Sequence, residues 1–214
     1  MIQFRRMTYF TRTELSAALH ELGQLAVDAG KVIDLALYGG SCLTLVSNFR
    51  VGSEDVDAVA IADQDFIDRA ARTIAARHGW PDDWLNDGVR TYLSPAVEGH
   101  AAHELFATYP DETNPGLRVY VPNAHYMLAM KLMALRIEPA EKDLEDIVNL
   151  LRVVGINNKE EIVAFAAEFY PEARVSGKLR LALDQLWRAY QAKFESNDDE
   201  PPRYLSRGGT ARNR

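Results

Sequence analysis

The chain has 214 residues, of which 47% are hydrophobic and 26% charged, and a net charge of −7. That is enough apolar material for one compact domain, or one domain with an attached subdomain. The negative balance excludes a protein that coats nucleic acid through bulk charge, so a nucleic-acid partner requires a local basic patch. The single cysteine, Cys42, excludes an internal disulfide framework and a structural cysteine–zinc site, and points to a reducing compartment. Residues 1–6 lack the apolar region of a signal peptide, and no stretch is long enough to span a membrane. A cytoplasmic chain without a membrane partner is expected.

Thr11 and Glu14 have the spacing of a capping box. Leu15, Leu19, Leu22 and Leu25 then recur at helical spacing, and Gly30 is a natural stop. Residues 32–37 form a short apolar run that reads as a buried strand. Gly39-Gly40-Ser41 breaks it, and residues 42–46 can start a helix. Residues 50–54 are polar, contain Gly52 and read as a loop. Residues 55–61 alternate acidic and apolar positions, as a strand does at the mouth of a sheet. Phe66, Ile67, Ala70 and Ile74 place a helix that ends near His78-Gly79. Residues 84–93 carry no clear periodicity.

Residues 105–109 and 117–121 predict two strands, joined by a turn over 111–116 that contains Asn114-Pro115-Gly116. Beyond Pro122 the pattern is helical, over 127–136, 142–153 and 160–169. A last helix carries Leu179, Leu183, Leu186, Trp187, Tyr190 and Phe194 on one face. From about Ser196 the chain is polar and rich in Pro, Gly and Arg, which predicts a disordered tail. The expected organisation is an αβ core over 1–122, a helical subdomain over 123–195 and a tail over 196–214.

Two short motifs carry chemistry. Asp55 and Asp57 are two apart, which on a strand puts both carboxylates on one face. So close, they repel unless a cation lies between them, and magnesium suits such a pair because it keeps sites open for phosphate oxygens. Gly39, Gly40 and Ser41 precede a helix, where glycine lets the backbone approach a phosphate and the helix N-terminus offers free N–H groups. Each motif alone has a bland reading, as a common turn or as acids at an exposed strand end. Their strand–turn–helix–loop–strand order makes the joint reading stronger.

Lys131 lies in the apolar helix sequence Ala-His-Tyr-Met-Leu-Ala-Met-Lys-Leu-Met-Ala-Leu-Arg. It either packs its stem on the core with its head in water or points into a polar cleft as a positive charge for phosphate. Asp143 and Asp146 share a helix face. They are either ordinary first-turn acids or partners of Lys131 and of an acceptor hydroxyl. His78, His100, His103 and His125 read as surface or core residues, and Trp84 as core.

Together the Gly-Gly-Ser turn, the Asp-x-Asp strand and the helical Lys and Asp residues resemble the polymerase-β-type nucleotidyltransferase superfamily. Within it they are most similar to the AbiEii/MenT-like group of minimal bacterial nucleotidyltransferases, over residues 35–151. Gly40 and Ser41 match the glycine–serine motif, and Asp55 and Asp57 the metal-binding acids. Residues 130–136 match the lysine motif, and residues 142–147 the later acidic helix, with Asp143 ahead of Asp146 as the functional acid. The superfamily's usual third carboxylate has no counterpart on residues 117–121.

The resemblance implies an α+β fold, with a mixed sheet flanked by helices and followed by a helical C-terminal subdomain. It implies Mg2+ or Mn2+, a nucleoside triphosphate substrate and transfer of its nucleoside monophosphate to a hydroxyl acceptor. Several members are toxins that add nucleotides to tRNA 3′ ends and are paired with an antitoxin, so tRNA or another RNA and an antitoxin are the implied partners. The alternative is a catalytically weak or inactive domain that senses nucleotides or binds a regulatory partner.

Overall fold

A computed structural model describes residues 9–97, 101–136, 141–172, 174–175, 177–194 and 200–205. It begins with a short strand β1 (Phe10–Thr11) and helix α1 (Arg12–Asp28). The capping box forms as expected: Thr11 Oγ1 accepts from Glu14 N, and the Glu14 carboxylate accepts from Thr11 N at 2.9 Å. Strand β2 (Ile33–Leu37) runs into helix α2 (Gly39–Val46). Strands β3 (Gly52–Ser53) and β4 (Val56–Ala60) and helix α3 (Gln64–His78) follow. Gly79 closes α3 in the left-handed conformation.

The segment without periodicity resolves into a two-residue strand β5 (Leu85–Asn86) and a 3-10 helix (Gly88–Tyr92). Such short elements leave no period to read. Strands β6 (His103–Pro110) and β7 (Pro115–Pro122) form the expected hairpin. Its turn is set by Asp111, whose Oδ1 accepts from Thr113 N and Asn114 N, while Pro115 and Gly116 already belong to the strand. The helices beyond Pro122 are α4 (Ala124–Ala134), α5 (Glu141–Val154), α6 (Lys159–Phe169) and α7 (Gly177–Phe194).

The fold is α+β. Its main sheet has five strands in the order β5-β4-β2-β7-β6. It is mixed: β2 is antiparallel to β4 and parallel to β7, β4 is parallel to β5, and β6 is antiparallel to β7. Ile33, Leu35, Leu37, Val56, Ala58, Leu117 and Val119 turn one face into the main core. The other face carries Ala36, Tyr38 and Val59, which meet Tyr126 and Met130 of α4 in a second cluster. The main core continues without a break into Leu128, Leu150, Ile162 and Leu186 of the helical half. Among the described residues, no helix is long and apolar enough to cross a membrane.

The expectation of a disordered tail from Ser196 is corrected at residues 200–205. Tyr204 bridges antiparallel to Ser47, Asn48 N donates to Arg203 O, and Arg203 N donates to Asn48 Oδ1. The Tyr204 ring packs against the main core, and its hydroxyl donates to Pro122 O at 2.5 Å. A polar, proline-rich composition signals little core of its own, but one aromatic ring and four backbone bonding positions suffice to dock a short segment. Residues 196–199 and 206–214, and His100, lie outside the described residues.

Candidate functional site

A cavity of about 250 Å³ opens where β4, α2, α4 and α5 converge. Gly39, Asp55, Asp57, Lys131 and Asp143 all line it, so five of the eight residues singled out from sequence meet in one place. The remainder of the wall is Gly88, Val89 and Tyr92 from the 3-10 helix, and Met127, Met130, Ala134, Leu135 and Arg136 from α4 and its end. Positions 127, 130, 131, 134 and 135 of α4 form one helical stripe. Lys131 therefore faces the cleft rather than bulk water.

Asp57 lies on β4 and Asp55 just before it, two apart and on one face. Burial, then the charge of Asp55, pushes the Asp57 carboxyl up to about 6; Lys131 opposes this and Asp143 adds to it. Gly39 sits beside Asp57 with φ of +60°, and a Cβ built there would overlap the Asp57 carboxylate. Glycine thus serves twice, in taking a left-handed backbone and in leaving room for an acid.

The other two residues of the glycine motif do not reach the cavity. Gly40 and Ser41 lie inside the first turn of α2, because the helix starts at Gly39 and not after Ser41. Ser41 is fully buried, and its Oγ donates to Tyr38 O at 2.9 Å. Thr44 and the C-cap residue Ser47 bond back in the same way, to Gly40 O and Leu43 O, which lets these hydroxyls be buried with the helix from Gly40 to Val46. Gly40 packs under Ser53 and Arg50. The expected phosphate contact by the Ser41 hydroxyl is therefore absent from this arrangement.

Lys131 Nζ donates to Asp143 Oδ1 at 2.8 Å and pairs with Asp146 Oδ2 at 2.9 Å. Asp146 Oδ2 is also 2.9 Å from Arg50 Nη1. Side-chain exposure is 2% for Asp146, 11% for Lys131, 14% for Arg50 and 46% for Asp143. Burial works against the Lys131 ammonium, but Asp146 and Asp143 outweigh it and hold the amine above its ordinary range. Burial likewise works against the Asp143 carboxylate, but Lys131 holds it below the ordinary range.

Arg50 is the residue that sequence reasoning missed. It lies in a polar loop, where an arginine is unremarkable, and its partner is 96 positions away. Tyr92 and Val89 were missed with the segment that shows no periodicity. Among the described residues, no group of three or more His, Cys, Asp or Glu side chains is arranged to hold a metal. On β7, Arg118 is committed to its cross-strand neighbour Asp34 through bonds of 2.6 and 3.0 Å. His78 stacks on Trp80 and pairs with Glu21, His103 bonds the Tyr38 hydroxyl at 2.8 Å, and Trp84 is core, with Nε1 donating to Ala71 O. No protein-family model, curated protein or solved structure matches this chain.

Proposed function

We propose that the protein is a magnesium-dependent nucleotidyltransferase. The observation that carries this reading is the cavity that gathers Gly39, Asp55, Asp57, Lys131 and Asp143 from four separate elements. Such convergence is what phosphoryl and nucleotidyl transfer requires, because its catalysis is mostly positioning and charge stabilisation. Asp55 and Asp57 fit a hard divalent cation: both carboxylates line the cavity, and the Asp57 carboxyl is driven up by burial and by its neighbour's charge. Mg2+, or Mn2+, would neutralise triphosphate charge there and needs only one or two carboxylates besides phosphate and water.

Lys131 would contact the phosphates, and the backbone at Gly39 would let them approach. Asp143 would position Lys131; held ionised by that lysine, it is a weak proton acceptor, so this role suits it better than that of a base. The acceptor hydroxyl would attack the α-phosphorus, giving its proton to solvent and displacing pyrophosphate. The cavity is smaller than most ligand sites, which run from ~300 to 1,000 Å³. It suits the triphosphate, with Tyr92 and Arg136 also in its wall. RNA, tRNA in particular, is the proposed acceptor, and a toxin role with an antitoxin partner is proposed on the same resemblance.

A second reading is a domain that binds nucleotides without transferring them. It is favoured because, among the described residues, no group of three or more acids is arranged to hold a metal, although Asp143 lines the same cavity as Asp55 and Asp57. One experiment separates the two. The protein is incubated with each α-labelled nucleoside triphosphate, magnesium and total RNA, beside Asp57→Ala. Label that enters RNA with the wild type and not with the variant supports transfer. Nucleotide binding without any transfer supports the second reading, and neither binding nor transfer removes both.

A further inference from the structure

Arg50, Asp146, Lys131 and Asp143 form a row of alternating charges that runs from the interior to the cavity. A single oxygen, Asp146 Oδ2, serves two cations: Arg50 Nη1 and Lys131 Nζ, each at 2.9 Å. A carboxylate as buried as Asp146 must be compensated, and one cation alone would be bound the more tightly for having no competitor. Arg50 is itself fixed. Its Nε donates to Gly52 O at 2.8 Å, and its guanidinium lies over Gly40 in the first turn of α2. The planar fork of an arginine can satisfy a carbonyl and a carboxylate at once, whereas a lysine has a single nitrogen to offer.

We infer that Arg50 and Asp146 are a positioning pair for the cavity's ammonium. Asp146 fixes where Lys131 Nζ stands, and Arg50 takes the share of Asp146 that would otherwise withhold Lys131 from an incoming phosphate. The inference rests on the proposed reading of the cavity as a phosphate site. It adds to it a residue that neither motif contains, and it links the α2–β3 loop to the helical half through one carboxylate.

The test uses the full chain and near-isosteric neutral variants. Arg50→Gln leaves Asp146 with Lys131 as its remaining close cation. The affinity for Mg·ATP then falls about tenfold, a change equivalent to losing one favourable charge contact. Lys131 is also acylated more slowly by an amine-directed reagent, read by peptide mass spectrometry, because its ammonium is held more firmly. In Arg50→Gln/Asp146→Asn the competing carboxylate is gone. Lys131 acylation then rises above the Arg50→Gln rate, and Mg·ATP affinity recovers at least in part. Arg50→Lys behaves like Arg50→Gln.

A merely structural role for Arg50 predicts the opposite for the double variant, which would be no better than the single one. That result, or an acylation rate at Lys131 indifferent to Arg50→Gln, overturns the inference. A wild type that binds no nucleoside triphosphate sinks the proposed function alone, and the acylation rates then decide the pairing.

Discussion

Asp57 is the cavity carboxyl whose ionisation is opposed by burial and by a neighbouring charge. Its carboxyl, pushed up to about 6 by burial and by Asp55, holds a proton in the native state that the unfolded chain loses near the ordinary value of 3.8. Between those two pH values the native protein binds more protons, so stability must fall as pH rises through the window and stay lower above it. The full effect is at most about 3 kcal/mol, at ~1.4 kcal/mol for each pH unit of separation. Chemical denaturation in chelator should show this loss from about pH 4 to 6 as the difference between the wild type and Asp57→Asn, whose profile lacks it. Magnesium should raise the wild-type melting temperature at pH 7.5 and leave that of Asp57→Asn unchanged; an equal rise in both would remove Asp57 as a metal ligand. Gly39→Ala meets two obstacles, a left-handed backbone and the Asp57 carboxylate. It should cost about 1–3 kcal/mol in thermal or denaturant unfolding and abolish the magnesium response as well.

The elements that hold the site are fastened by specific close contacts. Helix α1 lies so near the β6–β7 hairpin that a Cβ on Gly23 would stand 2.7 Å from the Tyr109 carbonyl carbon. That neighbour is backbone and cannot swing away. Gly23→Ala should therefore destabilise by about 1–3 kcal/mol in denaturant unfolding, the range for an overpacked interface, with no change in magnesium response because the contact is remote from the cavity. Helix α4 has its start set by Asn123, whose side chain accepts from Tyr126 N. Tyr126 in turn accepts from Ser94 N, and Tyr170 donates to Tyr92 O at 2.6 Å. Through these bonds the helical half holds the 3-10 helix that forms one wall of the cavity.

The two halves share one continuous core, against which the returning C-terminal segment packs Tyr204. Tyr204 joins the end of β7 to α2: its hydroxyl donates to Pro122 O and lies 3.9 Å from Cys42 Sγ. Cys42 is fully buried, and its thiol is pushed up to about 12 by that burial. Native protein should therefore react with a thiol reagent only slowly. Tyr204→Ala should lower stability by about 2 kcal/mol, as removal of a partly buried ring does, and speed the labelling of Cys42. Unchanged labelling would mean that the segment does not guard the thiol.

Most of the fold was legible in the chain. Helical spacing, the Thr11–Glu14 cap, the apolar run at 32–37 and the Asn114-Pro115-Gly116 turn signal are local signals, and local chemistry acts on neighbours a few positions apart. Asp55 and Asp57 sharing a face follows from strand geometry, and Asp143 with Asp146 from helix geometry. The cavity's outline was therefore present in three short motifs. What local pattern could not carry was which way each group turns once the elements pack. Ser41 was turned into the core by the register of α2, and Lys131 toward two acids by the stripe of α4. Arg50 was joined to Asp146 across 96 positions, and Tyr204 was brought back onto Ser47 and Pro122. Each depends on desolvation and on pairing between distant segments. Those terms exist only when the chain is closed on itself, so they leave no periodic trace in the order of its residues.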